Sequence, residues 1–303
     1  FGIIGNPVKH SLSPVLHNYW FNKYEIDATY SILDTQENDL VKIIDNLKQR
    51  KINGVNVTLP YKQKIVPLVD ILINDAKITS SVNTLYLNSD GMLVGENTDV
   101  FGLQAAYLKE IDNVTDKKAL IIGAGGVSPS VILSLQKSGV QNISITNRTH
   151  EKCLFLKRKF NNLNIVDWKN LKDELINFDL IINATSLGLK NGLDFDFNFD
   201  IVKRDLIFID TIYNPLETKT LKFLRGKDLK TPEQGQCLCT KSRSMPGARV
   251  SEKRTNNQGI TSPSPRGCHR HDGVEAPNYS RAGAPQLQSS LGSDPHGQRR
   301  KVQ

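Results

Sequence analysis

Residues 118–137 have the sequence KALIIGAGGVSPSVILSLQK. A short apolar strand, Ala119–Ile122, leads into a glycine-rich turn at Gly123–Ser128, and a helix over Val131–Lys137 follows. Glycines let the backbone turn tightly and approach a pyrophosphate, whose charge the N-terminus of the helix stabilises. Ser128 occupies the third glycine position, where a small side chain still permits close packing of the helix. The stretch predicts a dinucleotide-binding turn, and the alternative is a glycine-rich helix entry with a structural role alone.

Strand-length apolar runs and helical segments continue to alternate after this turn. The next runs are Asn142–Thr146, Leu180–Ala184 and Leu206–Asp210. Strands separated by helices, with glycines at the first crossover, are typical of a doubly wound parallel sheet. We therefore expect residues 100–230 to form a Rossmann-like domain.

The first 100 residues show the same alternation and predict a separate α/β domain over residues 1–99. Ala28–Leu33 has the pattern of one of its strands. Ser13 and Pro14 predict the start of a helix, with Ser13 as the N-cap and Pro14 at the first helical position. The expected fold class is thus α/β, in two domains.

The residues after the strand Asn142–Thr146 indicate which dinucleotide would bind. An NAD enzyme places Asp or Glu at this strand end, about 20 residues after the glycines, to bind the ribose hydroxyls. This chain has Asn147-Arg148-Thr149, followed by Lys152. The planar guanidinium of Arg148 suits a phosphate, and the strand end has no carboxylate that would repel one. The pattern favours NADP, and the alternative is a solvated arginine without a ligand.

The net charge of +8 raises the question of a nucleic-acid or membrane partner. Residues 229–303 contain 12 Lys and Arg against 5 Asp and Glu, and so hold seven of the eight net charges. They also contain 7 of the 13 Pro and a single aromatic residue, Tyr279. Such a segment cannot bury enough apolar surface to offset its ordering entropy, so we expect a disordered tail over 231–303. With few aromatic residues and no recognition motif, it predicts no nucleic-acid partner.

The tail also holds the cysteines and histidines that raise the question of a metal site. Cys237, Cys239 and Cys268 lie there with His269 and His271, at spacings that fit no zinc module. The flanking residues provide no core. We therefore predict no metal.

The sequence contains no run near the roughly 18 apolar residues that a membrane span requires, and its first residues lack the features of a signal peptide. We expect a cytoplasmic protein without a membrane partner. Phe1 is not an initiator Met, so we also expect the natural start to lie upstream.

Three groups of polar residues lie at predicted strand ends and loops of the first 100 residues. The groups are Ser11 with Ser13, Asn56 with Thr58 and Lys62, and Asn83 with Asn97, Thr98 and Asp99. Each group has a structural explanation by itself, because serines cap helices, asparagines turn the chain and lysines after strands are solvated. Combined, they supply the hydrogen-bonding groups that a small polyhydroxylated acid requires, at the strand ends where α/β sites form.

The chain carries several longer motifs in a fixed order. They are GNPVKHSLSP at 5–14 with His17-Asn18, NVTLPYK at 56–62, VNT at 82–84, NTD at 97–99, GAGG at 123–126, NRT at 147–149, NATS at 183–186, and YNP at 213–215 with Thr218. In order and spacing these motifs resemble the shikimate dehydrogenase family. The resemblance runs from about residue 1 to about residue 230, and its first three motifs are specific because ordinary Rossmann enzymes lack them.

The resemblance implies a reversible oxidoreductase that reduces 3-dehydroshikimate to shikimate with NADPH, on the chorismate route to aromatic amino acids. It implies a substrate-binding catalytic domain followed by an NADP-binding Rossmann domain, in a monomer or homodimer. Lys62 and Asp99 would form the catalytic pair. The substrate would contact Ser11, Ser13, Thr58, Asn83, Asp99 and Tyr213. NADP would contact Gly123, Ala124, Gly125, Gly126, Val127, Asn147, Arg148, Thr149, Lys152 and Thr211.

The family pattern stops after about residue 230. Family members continue into an apolar helix with a Gln-Ala or Gln-Gly pair, which contacts the substrate and the first domain. Here Gln234-Gly235 lacks the apolar flanks, so we expect an unrelated tail in place of that helix. Three alternatives stay open: a quinate/shikimate dehydrogenase, an NADP-binding module made inactive by the missing helix, and a nucleic-acid binder that acts through its tail.

Overall fold

A computed structural model describes residues 1–190, 192–197 and 199–232. Within these ranges the chain forms two sheets, one of six strands and one of five, and helices connect the strands of each sheet. The expected α/β class is confirmed. Apart from Thr231 and Pro232, the predicted tail lies outside the described residues, as do its cysteines and histidines and the Gln234-Gly235 pair.

The first sheet combines parallel and antiparallel strands. Its strands are β1 Gly2–Gly5, β2 Ser31–Asp34, β3 Gly54–Val57, β4 Ile71–Leu72, β5 Thr84–Leu87 and β6 Leu93–Glu96. Their spatial order is β2-β1-β3-β5-β6-β4. β1 pairs in parallel with β2 and β3, whereas β5 is antiparallel to β3 and β6. Strands β5 and β6 form an antiparallel hairpin.

Four α-helices accompany this sheet. They are α1 Ser13–Lys23, α2 Leu40–Lys48, α3 Tyr61–Lys64 and α4 Asp75–Thr79. Helix α2 buries Leu40, Ile43, Ile44 and Leu47, which have the i, i+3, i+4, i+7 spacing of one helix face. That face joins the core cluster that contains Ile4 of β1.

Strand β2 is shorter than the predicted Ala28–Leu33. The side chain of Asn18 pairs with both backbone groups of Tyr30: its Oδ1 accepts from the Tyr30 N–H, and its Nδ2 donates to the Tyr30 carbonyl, each at 2.9 Å. Because these groups are already bonded to α1, regular β2 pairing begins at Ser31.

The sequence predicted Ser13 as the N-cap of α1, and this prediction is wrong. Ser13 is the first helical residue, and the cap position belongs to Leu12, whose side chain offers no acceptor. The Ser11 hydroxyl accepts from the Ser13 amide at 3.2 Å instead. The capping oxygen therefore comes from two residues upstream, because the loop turns back on itself before the helix starts.

The second sheet is parallel throughout. Its strands are β7 Lys118–Ile122, β8 Asn142–Thr146, β9 Leu163–Ile165, β10 Leu180–Asn183 and β11 Ile207–Asp210. Their order is β11-β10-β7-β8-β9, so the direction of winding reverses between β7 and β10. Ligands of doubly wound sheets bind outside the carboxyl ends of the strands at this reversal. The expected Rossmann-like arrangement is confirmed.

The helices of this half are α5 Asp99–Ala106, α6 Ser128–Lys137, α7 His150–Lys159, α8 Leu171–Glu174 and α9 Lys219–Arg225. Helix α6 begins three residues before the predicted Val131, because Pro129 suits the first turn of a helix and the prediction started at the first apolar position. Val100, Leu103 and Ala106 of α5 belong to the core cluster of the second sheet. The domain boundary after Asp99 stays a prediction.

Candidate active site

A lysine and an aspartate meet where the two sheets approach each other. Lys62 lies on α3, and its Nζ donates to Oδ2 of Asp99, the first residue of α5, at 2.7 Å. The Asp99 side chain is 1% exposed and that of Lys62 is 13% exposed. An ammonium has three N–H groups, so Lys62 can hold Asp99 and still donate to a ligand. The pair can therefore deliver a proton to a substrate from a position with little exposure to solvent.

Hydrogen bonds fix the backbone around the lysine of this pair. Tyr61, which precedes Lys62, is buried and donates its hydroxyl to the Thr35 carbonyl at 2.9 Å. The Lys62 carbonyl accepts from the Val82 amide at 2.8 Å. Short α3 is thus anchored at Tyr61 and at the backbone of Lys62.

Asn83 orients the aspartate. Its Nδ2 donates to Asp99 Oδ1 at 2.9 Å and to Thr98 Oγ1 at 3.0 Å, while its Oδ1 accepts from the Thr98 amide at 3.0 Å. Both carboxylate oxygens of Asp99 therefore have donors. Asn83 is itself 5% exposed.

A line of hydrogen bonds connects this asparagine to the first loop. Asn56 Nδ2 donates to the Asn83 carbonyl at 3.1 Å, and Asn56 Oδ1 accepts from the Tyr30 hydroxyl at 2.5 Å. Burial raises the pKa of Tyr30 and Tyr213 raises it further, whereas the hydroxyl of Ser13 acts in the opposite direction. Tyr30 therefore keeps its proton and adjoins Ser13 and Tyr213.

The remaining predicted substrate residues surround this line. The Ser11 hydroxyl lies 3.2 Å from that of Ser13. Thr58 follows β3 and packs so closely against Gly5 that an added Cβ there would clash with Thr58 Cγ2. The loop after β11 carries Tyr213 and returns to the first loop, where Asn214 Nδ2 donates to the His10 carbonyl at 3.3 Å. The structure thus brings the predicted substrate residues to one region.

The glycine-rich turn lies beside the lysine. Gly123 has a φ of +112°, and a Cβ there would come within 2.8 Å of Thr185. Ser128 bridges the turn, because its hydroxyl accepts from the Gly125 amide at 3.0 Å and donates to the Gly123 carbonyl at 2.8 Å. A Cβ on Gly126 would lie 3.6 Å from the Cβ of Lys62.

The turn has the properties of an anion site. Among the described residues, no backbone acceptor pairs with the amides of Gly126 and Val127, which precede α6. Gly125 has no positive φ, and a Cβ there would meet no described atom closer than the Ala184 carbonyl oxygen at 4.0 Å. Neither backbone conformation nor described neighbours explain glycine at this position. A pyrophosphate in contact with the turn would explain it, so the residues fit the predicted dinucleotide.

The predicted phosphate and ribose residues follow β8. Asn147 Oδ1 accepts from the Ala124 amide at 3.1 Å, and its Nδ2 donates to the Thr149 carbonyl at 3.0 Å. Arg148 and Lys152 are both exposed. Asn147 therefore connects the glycine-rich turn to the end of β8. The side chains of Arg148 and Lys152 face solvent, where they could contact the 2′-phosphate of a bound NADP.

Thr211 belongs to a second polar cluster, at the ends of β10 and β11. Its hydroxyl donates to the Asn183 carbonyl at 2.9 Å. Asp210, 4% exposed, accepts from Asn183 Nδ2 at 3.0 Å, the Ile212 amide at 3.0 Å and the Thr218 hydroxyl at 2.9 Å. Burial raises the pKa of Asp210 to about 6, against the opposing effect of these hydrogen bonds. These hydrogen bonds hold both ends of the loop that carries Tyr213, at Ile212 and at Thr218.

The sequence analysis did not identify Tyr30 and Asp210 as residues of the site. It also did not predict that the Ser128 hydroxyl bridges the glycine-rich turn. Asp210 had a usable signal, because an acidic residue at the carboxyl end of a parallel strand faces the ligand edge of the sheet. Tyr30 had none, since it lay inside a predicted strand.

Within the described residues, no group of three His, Cys, Asp or Glu side chains is arranged to hold a metal. None of the described helices has the length and hydropathy of a membrane span.

The fold and the site define the class of the protein, a nicotinamide dinucleotide-dependent oxidoreductase. Residues 3–85 match the family described as shikimate dehydrogenase substrate binding domain, and residues 106–190 match shikimate / quinate 5-dehydrogenase. The chain belongs to the shikimate dehydrogenase family.

Similar proteins agree with this assignment. The shikimate dehydrogenase (NADP(+)) of Pelagibacter ubique is 45% identical over 222 residues, which are 73% of this chain and 82% of the relative. The crystal structure of shikimate dehydrogenase from Aquifex aeolicus has a TM-score of 0.74 and 35% identity, covering 84% of this chain and 96% of that one. The Thermus thermophilus enzyme in complex with NADP(H) and shikimate has a TM-score of 0.72 and 27% identity, covering 88% and 95% of the two chains.

Proposed function

We propose that this chain is an NADP-dependent shikimate dehydrogenase, which reversibly reduces 3-dehydroshikimate to shikimate on the chorismate route to aromatic amino acids. The observation that carries the proposal is the juxtaposition of the buried Lys62–Asp99 pair with the glycine-rich turn. A proton donor and a dinucleotide site are the two parts that carbonyl reduction requires. The NADP and shikimate named for the similar proteins support the choice of ligands.

Lys62 and Asp99 would carry out the proton chemistry. When bound, NADPH supplies a hydride to the carbonyl carbon of the substrate, so the carbonyl oxygen must gain a proton. Lys62 Nζ donates a hydrogen bond to that oxygen and then transfers the proton. Asp99 holds the ammonium in place and stabilises its charge before transfer. In the reverse direction Lys62 accepts the proton of the hydroxyl.

The hydroxyl and amide groups near the pair would hold the ring. Ser11 in the first loop and Ser13 at the start of α1 supply two hydroxyls, and Tyr213 supplies a third from the loop after β11. Thr58 and Asn83 approach from the strand ends. A polyhydroxylated acid needs donors in several directions, and truncating any one of them leaves a ligand group unpaired.

The cofactor would bind across the carboxyl ends of β7, β8 and β10. The Gly126 and Val127 amides would contact the pyrophosphate, and Arg148 and Lys152 would contact the 2′-phosphate. Thr211 donates to the Asn183 carbonyl at the end of β10 and would lie near the nicotinamide end of the dinucleotide. NADP rather than NAD follows from the cationic β8 end.

The test is an assay of the full chain with shikimate and NADP⁺, following NADPH formation, together with a titration of NADPH binding. The expected result is turnover that requires both substrates and binding of NADPH in preference to NADH. Binding without turnover would favour the inactive NADP-binding module. The absence of both NADPH binding and turnover would overturn the proposal.

Quinate is the second candidate substrate, because the family matched by residues 106–190 is described as shikimate / quinate 5-dehydrogenase. Comparing kcat/KM for the two acids decides between them. A larger value for quinate would reassign the substrate and leave the fold and chemistry unchanged. The monomer or homodimer and the cytoplasmic location stay predictions, and light scattering of the purified chain checks the first.

A further inference from the structure

Asn97 lies between the catalytic pair and the cofactor helix and is 4% exposed. Its Oδ1 accepts from the Asp99 amide at 2.9 Å. Its Nδ2 donates to the Ser81 carbonyl at 2.8 Å and to Ser130 Oγ at 2.9 Å, and Thr79 Oγ1 lies at 3.2 Å. One side chain therefore connects the backbone of the catalytic aspartate with a serine of α6.

Ser130 stands in the first turn of α6 and is fully buried. That turn follows directly on the Gly126 and Val127 amides that face the proposed pyrophosphate. A second hydrogen bond joins the same regions, because Ser81 Oγ donates to the Gly126 carbonyl at 2.9 Å. Farther along α6, Lys137 pairs with Asp75 of α4 at 2.5 Å. Three polar links thus connect the first sheet's loops and helices to α6 and the turn that precedes it.

The chemistry of the asparagine explains why an amide occupies this position. An amide offers one acceptor and two N–H donors, and Asn97 uses the acceptor towards Asp99 and the donors towards Ser81 and Ser130. A carboxylate of the same shape would place an oxygen against the Ser81 carbonyl oxygen. Buried acceptors that face each other are unfavourable, so the link depends on the amide.

We propose that Asn97 and Ser130 are positioning residues that set the register between the Lys62–Asp99 pair and the cofactor-binding turn. The inference rests on the proposed function, in which hydride and proton must reach adjacent atoms of one carbonyl group. Substrate is held from the first sheet and cofactor from α6, so a small shift between them changes the distance of transfer. Misplacement by about 1 Å costs on the order of 10²-fold in rate.

The test compares two identical substitutions on one helix. Ser130→Ala removes the hydrogen bond to Asn97, and Thr79 Oγ1 stays within reach of the freed amide hydrogen, so the protein is expected to fold. Ser134→Ala, one turn later, removes a buried hydroxyl whose hydrogen bond among the described residues stays within α6, to the Val131 carbonyl at 2.8 Å. The pair separates loss of the link from loss of a buried serine.

Ser130→Ala is expected to lower kcat about tenfold, with the KM for shikimate and the Kd for NADP⁺ within about twofold of wild type. The deuterium isotope effect on kcat, measured with cofactor labelled at the transferred hydrogen, is expected to increase because hydride transfer becomes more rate-limiting. Ser134→Ala is expected to leave both values near wild type. Asn97→Asp is expected to exceed the loss of Ser130→Ala, because it also opposes the Ser81 carbonyl.

Hydrogen exchange of the cofactor-free protein provides a measurement that does not need activity. Ser130→Ala is expected to accelerate exchange in the peptides that contain Asp99 and Gly126, whereas Ser134→Ala accelerates neither. Equal kcat for the two serine variants, or unchanged exchange at both peptides, would overturn the inference. A wild-type chain that is inactive on shikimate would instead count against the proposed function, and the exchange result would still decide on the link.

Discussion

The two halves of the site treat their polar groups differently. In the first half, Asn56, Asn83 and Asp99 are buried and bonded to one another before any ligand arrives. In the second half, the amides of Gly126 and Val127 pair with no described backbone acceptor, and Arg148 faces solvent. The first half is therefore preorganised for chemistry, because its polar groups need no rearrangement. The second half is organised for binding, because its donors can pair with an anion.

Replacing Lys62 by Ala is expected to give the largest effect, because it removes the proton donor from the preorganised half. We expect kcat to fall by at least about 10²-fold, with the Kd for NADP⁺ nearly unchanged. Steady-state kinetics and a fluorescence titration measure the two quantities. The matched control is Lys64→Ala, two residues later on α3, where an exposed lysine pairs with Glu37. A near-normal kcat in Lys62→Ala would remove Lys62 from the mechanism.

Replacing Arg148 by Asp tests the binding half. The change removes a charge-assisted bond to the 2′-phosphate and adds repulsion, so the ratio of kcat/KM for NADP⁺ to that for NAD⁺ is expected to fall by about 10²-fold. The kcat at saturating cofactor should change little. Arg204→Asp, an exposed charge reversal before β11, is the control. An unchanged ratio would contradict the assignment of NADP selectivity to Arg148.

Asp210→Asn probes the cluster beneath the loop that carries Tyr213. The folded-state pKa of Asp210 is about 6, above the ordinary value of 3.8, so the folded protein binds more protons than the unfolded chain between these values. This contribution to stability is fully present below about pH 3.8 and is lost as the pH rises through 6. From about pH 4.5 to about pH 7 the loss is roughly 2 kcal/mol.

Urea denaturation of wild type and Asp210→Asn across that range measures the effect as a difference. The variant does not titrate at this position, so its stability relative to wild type is expected to rise with pH. The amide oxygen of the substituted side chain would still accept from the Ile212 and Asn183 donors, which both bond to one oxygen of Asp210. A pH-independent difference would mean that Asp210 is not the titrating group.

Ser128→Ala is expected to give the smallest effect, because it loosens the binding half without removing a ligand contact. The hydroxyl bridges the Gly123 carbonyl and the Gly125 amide, and its loss leaves both without that partner. We expect the Kd for NADP⁺ to rise about threefold to tenfold, in line with a net hydrogen-bond contribution of about 1 kcal/mol, while kcat stays near wild type. A fall in kcat without a change in Kd would mean that Ser128 acts on the catalytic half.

Patterns in the sequence determined much of the fold and the chemical inventory of the site. The glycine-rich turn between β7 and α6, the β8 strand at Asn142–Thr146, and the residue types at Lys62 and Asp99 were all apparent, because periodicity, turn chemistry and strand ends are local properties. Local reasoning failed where a distant group altered the backbone, as when Asn18 paired with Tyr30 and delayed the start of β2.

The tertiary structure decided which polar groups meet. Asn97 and Ser130 are 33 residues apart, Ser81 and Gly126 are 45 apart, and Asn183 and Asp210 are 27 apart. Strand order and helix docking bring such pairs together, and no local pattern encodes the distance between them. Burial has the same origin: the pKa of Asp210 is raised because packed β10, β11 and their loops exclude water from a carboxylate, and its position at the end of a strand does not by itself reveal this.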